Sequence, residues 1–184
     1  MDEEISNNPK HHPDCCLSLS QKVLDTLEEL IRRYVCTNGR STSLLSVGCG
    51  SGLFEALLAS HLQKHGLKHV LVEGVEVPST EAPYLNAEEV HRVHGSWDIF
   101  GGARNADVLL FVYPRTGQLI QQYLKNYQAN TRLVIWLGPR ADWSEQEPLL
   151  RDLAGFHRPL QLNNAGLMPY EVAVILVNEE NAAP

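Results

Sequence analysis

Three things are scarce in this chain, and each scarcity closes off a class of function. Cysteine is one: four residues in 184, Cys15, Cys16, Cys36 and Cys49, without the spacing of a disulfide framework. A reducing, cytoplasmic setting is therefore expected. Clustered cations are another. Fifteen lysines and arginines face 22 acids, for a formal net charge of −7, and the basic residues gather only in small pairs such as Arg32-Arg33. Affinity for a phosphate backbone comes mainly from clustered cations, so the balance argues against a nucleic-acid partner. Long apolar runs are the third. The longest are strand-sized, far short of the ~20 residues a membrane helix needs, and the first fourteen residues, MDEEISNNPKHHPD, are polar and acidic. Neither a membrane span nor a secretory signal is expected. At 43% hydrophobic and 20% charged, the remainder is the composition of an ordinary globular protein, long enough for one domain with a substantial core.

What is present is an alternation of helix and strand. Residues 1–17 read as a flexible leader, 18–178 as a single α/β domain and 179–184 as a tail. Within the domain, Leu19, Val23, Leu27, Leu30, Ile31 and Tyr34 repeat at helical spacing over 18–36, with Ser18 or Ser20 as N-cap and Asn38-Gly39 as a stop. Strands are expected at Leu44–Val47, His69–Val75, Val90–His94, Asp107–Val112 and Arg132–Leu137. The run Asp107–Val112 is continuously apolar, as in a parallel strand buried on both faces. Helices are expected over Leu53–Lys64, Thr116–Tyr127 and Ser144–Leu153, the last N-capped by Ser144 with Glu147 completing a capping box, and a short helical piece near Ala87–Glu89. Leu160–Asn163 and Tyr170–Val177 read as a terminal hairpin turning at Asn164-Ala165-Gly166. The pattern predicts a doubly wound, mostly parallel seven-stranded sheet with a C-terminal antiparallel hairpin. Ligands of such sheets sit at the carboxyl ends of the strands. Gly48–Gly52, Glu76, Gly95–Asp98 and Tyr113–Arg115 all fall there.

The segment Val47-Gly48-Cys49-Gly50-Ser51-Gly52-Leu53 carries the most information. Glycine at alternate positions lets the chain turn sharply and lets a ligand approach the backbone closely. The spacing is GxGxG, with Leu53 where a dinucleotide fingerprint would need its third glycine, and no lysine follows Gly52 to make a phosphate loop. With an acid, Glu76, ending the second strand and an apolar fourth strand closing on Tyr113-Pro114, the chain resembles the class I S-adenosylmethionine-dependent methyltransferases over roughly residues 20–178.

That resemblance implies S-adenosyl-L-methionine as cofactor. Gly48, Cys49, Gly50, Ser51 and Gly52 would pass beneath its methionine and ribose portions. Glu76 would accept hydrogen bonds from both ribose hydroxyls. Ser96 and Trp97 would frame the adenine, with Trp97 stacking on it. Tyr113 and Arg115 stand at the reaction-centre position, and His94 is the candidate base for an acceptor with an acidic proton. The chain departs from the family in two places. Ser46 stands where an acid usually opens the glycine motif, and Ser96 replaces an acid after strand three, with Asp98 close by. The segment YPRT also differs from the motif of amino-group methylases of nucleic-acid bases.

Each of these residues has a structural reading beside the functional one. The glycines suit tight strand-to-helix packing, Glu76 a solvated strand end, and Trp97 a core plug. Tyr113 and Arg115 suit a strand cap, and Cys49 a small loop residue. His61, His65 and His69 recur at four-residue spacing, but the third lies beyond Gly66, so a solvated helix end is the expectation and no metal is assigned. His11-His12 with Cys15-Cys16 falls in the leader and is read the same way. The expected function is methyl transfer to a small molecule or a protein side chain. The alternative is a protein of this fold that has lost the transfer, serving as an isomerase, a cyclase, a regulatory subunit or an interaction module. No insert is large enough for a substrate lid, so the site is open or a homo- or hetero-oligomer completes it.

Overall fold

The computed structural model describes residues 5–36, 40–127, 129–151 and 153–178. The Asn38-Gly39 stop and the 179–184 tail lie outside these residues. The chain runs β1 (Lys10–His12), β2 (Cys15–Leu19), α1 (Gln21–Tyr34), β3 (Thr42–Val47), α2 (Leu53–Lys64), β4 (Val70–Glu76), β5 (Val90–Arg92), β6 (Val108–Val112), α3 (Gly117–Tyr127), β7 (Leu133–Pro139), α4 (Arg140–Leu150), β8 (Leu160–Leu162) and β9 (Glu171–Val177). The most apolar run, β6, lies at the centre of a seven-stranded sheet ordered β5-β4-β3-β6-β7-β9-β8. The strands from β5 to β7 are parallel, and β9 enters antiparallel between β7 and β8. This is the expected doubly wound sheet with its antiparallel C-terminal pair.

Strand alternation divides the core into two layers. Leu44, Leu110, Ile135 and Ile175 face one side, where Leu27 and Ile31 of α1 and Leu58 and Leu62 of α2 cover them. Leu45, Phe111, Trp136 and Val174 face the other, against Ile120, Tyr123 and Leu124 of α3 and Trp143 of α4. Successive side chains of a strand point to opposite faces, so a strand apolar at every position is buried from both sides.

Two expectations are corrected, and a third, the α1 N-cap, is narrowed to one of its two candidates. Helix α4 begins at Arg140 rather than Ser144, and Ser144 Oγ bonds the Ala141 carbonyl inside the helix instead of capping it. The earlier start carries Trp143 onto the helix, where it is buried with its ring 5.2 Å from that of Trp136. Burial of that indole outweighs the capping signal, and α4 accommodates Pro148 within it. At the other end of the chain, Ser20 caps α1 by accepting from Val23 N, while Ser18 lies on β2. Ser20 Oγ also donates to Gly166 O (2.6 Å), and a Cβ on Gly166 would come within 2.6 Å of that oxygen, so the turn needs glycine there. The connection then continues to Tyr170 before β9 begins.

The second correction concerns the leader, part of which is ordered. β1 and β2 form an antiparallel hairpin whose turn reaches the glycine loop: Ser51 Oγ donates to Asp14 O (2.6 Å) and Tyr84 OH to Asp14 Oδ2 (2.5 Å). At its other end His11 hydrogen-bonds Tyr170. The hairpin spans the carboxyl edge of the sheet.

Candidate active site

Five residues join β3 to α2 within one sharp turn, and the three glycines make it possible. Gly48, Gly50 and Gly52 have φ of 79°, 56° and 80°, values that strain any residue with a Cβ. Gly48 N and Cys49 N donate to Val75 O (2.8 and 3.2 Å), and Gly52 N to Cys49 O (3.0 Å). No atom lies within 4 Å of where a Cβ on Gly48 or Gly50 would sit, so the loop faces open space at those two positions. Gly52 is different: Leu85 packs against it, and a Cβ there would meet the leucine at 2.6 Å. Leu85 also lies over Gly74, beside the Cys49 sulfur. Burial pushes the Cys49 thiol up to about 12, with the Glu55 and Glu76 carboxylates adding to it, so it stays protonated. That fits a small packing residue and not a nucleophile.

Glu76 ends β4 directly across from this turn. Its Oε2 accepts from Gly50 N and its Oε1 from Val77 N, both at 2.8 Å. Two backbone bonds orient the carboxylate and leave each oxygen a free lone pair, as a ribose diol would require. The open space above Gly48 and Gly50, with a half-engaged acid at its edge, fits the ribose and methionine portions of S-adenosyl-L-methionine.

After β5, His94 to Asp98 form a self-closed loop. Asp98 Oδ2 accepts from His94 N (3.0 Å) and meets His94 Nδ1 (2.9 Å), and Oδ1 accepts from Ile99 N (2.9 Å). The backbone bond from His94, then its ring, hold the Asp98 carboxyl below its usual range. Trp97 is 74% exposed and folds its ring over Gly95, where a Cβ would come within 2.4 Å of it. It is therefore a surface platform rather than a core plug. Ser96 is exposed beside it.

Tyr113 follows β6 in a left-handed conformation (φ 49°), with its N–H on Leu137 O (2.7 Å). Its hydroxyl donates to Glu171 Oε1 (2.7 Å). Burial and that carboxylate raise the phenol well above its ordinary value, so it stays protonated. Arg115 lies two residues on, exposed to solvent.

Two acids escape the sequence reading. Glu55, in the first turn of α2, is buried and accepts from Ser46 Oγ (2.5 Å), while its Oε2 has no partner among the described residues. Burial raises it to about 7 despite the Ser46 bond. An acid thus lies behind the glycine loop, nine residues after Ser46 and bonded to it. Its signal was an acid inside the otherwise apolar LFEALL. Glu171, 1% exposed, receives Tyr113 OH, Ser18 N (3.1 Å), Ser18 Oγ and Met168 N (3.0 Å). Elsewhere, His61 and His65 come together as their spacing suggests, but His69 does not join them; Glu28 of α1 does.

No protein-family model and no curated relative matches the chain. Solved structures do. A candidate class I S-adenosylmethionine-dependent methyltransferase of Listeria monocytogenes superposes with a TM-score of 0.61 at 13% identity, covering 92% of this chain and 62% of its own. The DszA carbon methyltransferase gives 0.59 at 14%, covering 85% of this chain and 53% of its own. Sp1610 of Streptococcus pneumoniae, a candidate tRNA (m1A22) methyltransferase solved with S-adenosyl-L-methionine, gives 0.51 at 18%, covering 87% and 73%. The chain has the class I methyltransferase fold. It spans just over half to about three quarters of the length of these neighbours. Among the described residues, no helix is long and apolar enough to cross a membrane.

Proposed function

We propose that this protein binds S-adenosyl-L-methionine and transfers its methyl group to a small molecule or a protein side chain. One observation carries the reading: Gly48 and Gly50 open onto free space beside the Glu76 carboxylate, in a fold shared with enzymes solved with this cofactor. When bound, the cofactor supplies a methyl group already activated on a sulfonium, so the protein has chiefly to hold, align and exclude water. Gly48, Cys49, Gly50, Ser51 and Gly52 would lie beneath it, Glu76 would take the ribose hydroxyls, and Ser96 and Trp97 would frame the adenine. Tyr113 keeps its proton and therefore positions the acceptor through its ring or hydroxyl. Arg115, exposed beside it, suits an acceptor bearing negative charge. His94, paired with Asp98, is the residue to take a proton from a phenol, acid or hydroxyl acceptor. The net charge of −7 and the YPRT segment favour these acceptors over nucleic acid. Four free thiols suit a cytoplasmic protein.

Calorimetric titration with S-adenosyl-L-methionine tests the first half, with saturable binding expected and its absence at millimolar ligand overturning it. Incubation with cofactor labelled on the methyl group and fractionated extract tests the second. A second reading, binding without transfer, is favoured by the engagement of Tyr113 with Glu171, and it predicts binding with no label transferred to any component.

A further inference from the structure

The carboxyl edge of the sheet does not absorb all the chemistry in this chain. On the outside of the α1–α2 pair, Glu28 Oε2 lies 2.8 Å from His61 Nε2 and 2.5 Å from His65 Nδ1. All three atoms fall within 4.8 Å of one another. His61 and His65 are one helical turn apart at the end of α2, which puts both imidazoles on one face. Their rings lie 4.1 Å apart at 46°, converging on the same oxygen. We propose that Glu28, His61 and His65 form a divalent transition-metal site, of the class filled by zinc, that staples α1 to α2.

The donor set decides the class of ion. Two imidazoles and one carboxylate suit zinc and its first-row neighbours, whereas magnesium and calcium take oxygen ligands. Bonds of ~2.0–2.2 Å to a tetrahedral centre need donors about 3.3 Å apart, so the carboxylate has to back off by about half an ångström. The cation takes the place of the ring protons that now point at Oε2, and those protons are carried on the opposite ring nitrogens or released to solvent.

The surroundings orient the donors. Arg32 Nε holds Glu28 Oε1 at 2.8 Å, which turns Oε2 toward the imidazoles, and Arg32 Nη2 holds the His65 carbonyl at 2.5 Å. Gln21 meets His61 Nδ1 through its amide nitrogen (3.2 Å), and metal binding at Nε2, which puts the ring proton on Nδ1, requires that amide to turn its oxygen toward the ring. Asp25 Oδ1 lies 3.6 Å from His61 Nε2 but accepts from Gln21 Nε2 (2.9 Å), so the fourth position falls to solvent. His61 is 6% exposed and His65 45%, so the site has a closed wall and an open door. It lies about 12 Å along α2 from Leu53 and the glycine loop, so its role is to fix the helix pair whatever reaction the far end performs.

The test uses the full chain, free of any histidine tag and stripped with chelator. Titration with zinc should give one ion per chain with a dissociation constant in the micromolar range or below. Cobalt(II) should show the visible absorption of a four-coordinate site. Zinc at a hundredfold excess over that constant should raise the melting temperature by about 5–10 °C. His65→Gln, at an exposed position where folding is retained, should weaken binding at least tenfold, as should Glu28→Gln, while the pair His11→Gln and His12→Gln should leave it unchanged. Unaltered affinity in His65→Gln, its loss in the His11/His12 pair, or no uptake by the wild-type chain overturns the proposal.

Discussion

Two glutamates stand at the carboxyl edge of the sheet, and they are used in opposite ways. Glu76 accepts two backbone N–H bonds, is half-buried, and faces open space above Gly48 and Gly50. Glu171 is fully buried and accepts four donors from three separate segments: Ser18 twice, Tyr113 and Met168. The first has hydrogen-bonding capacity left for a ligand. The second has none, and its bonds hold the hairpin strand β2, the end of β6 and the approach to β9 in one place. The Glu76 end of the edge therefore keeps room and acceptors for a ligand, and the Glu171 end is built to stay assembled.

Removing Glu171 should have the largest effect. Glu171→Ala strands several buried donors at once, each costing about 1–3 kcal/mol when left without a partner. A loss of about 3–5 kcal/mol in urea unfolding is expected, with relief of the restraint on the β1–β2 hairpin. A loss below about 1 kcal/mol would show that water replaces the carboxylate and that the anchor is not one.

Glu55 sharpens the contrast, because it stands behind the glycine loop with one oxygen unpaired. Its folded value is about 7 against an ordinary 4.5, so the native state binds the proton more tightly than the unfolded chain. The stability it contributes is present below pH ~4.5 and is lost as pH rises through ~7, about 3 kcal/mol in all. Urea midpoints at pH 5 and pH 8 should separate in the wild type and draw together in Glu55→Gln. Parallel pH dependences would contradict the burial argument.

The legibility of these features tracks how far apart their parts lie in the chain. The α2 boundaries, Leu53–Lys64, were readable because Gly52 and Gly66 bracket the helix locally. The apolar strands were readable because burial on both faces writes itself into every position. The glycine loop and Glu76 were readable as a motif. Glu171 was not, since its partner Ser18 is 153 positions away and nothing in either neighbourhood advertises the other. The hairpin was missed for the same reason. Its strands, KHH and CCLSL, are short and without clear alternation, and they order against distant partners: α2, Ser51, Tyr84, Tyr170 and Glu171. The α4 start was misplaced because a capping box near Ser144 is a weak local preference beside the burial of Trp143.

At the receptive end, Glu76→Ala should separate binding from stability. Gly50 N and Val77 N are only partly buried and can be hydrated, so unfolding should shift by less than about 1 kcal/mol. Loss of the acceptor for the ribose should weaken S-adenosyl-L-methionine about 10- to 100-fold by calorimetry. Gly50→Val should do at least as much harm, because it places a β-branched residue at φ 56° and a side chain in the open space. A Glu76→Ala variant that binds as the wild type does would collapse the distinction between the two glutamates.

The smallest effect belongs to the contact that bridges the two halves. Tyr84 OH donates to Asp14 at the tip of the hairpin, next to the Ser51 bond to the Asp14 carbonyl, and both lie near solvent. Exposed bonds of this kind contribute well under about 1 kcal/mol each, so Tyr84→Phe should leave the urea midpoint almost unmoved. The hairpin tip should nonetheless exchange its amide protons faster, because two of its ties to the glycine loop and the 78–86 loop become one. If the tip covers the cofactor space, that loosening should also speed entry and release of the ligand together, changing both rate constants while the equilibrium affinity holds. Stopped-flow binding read alongside hydrogen exchange tests this, and faster exchange with unchanged rates would make the hairpin a neighbour of the site rather than its cover.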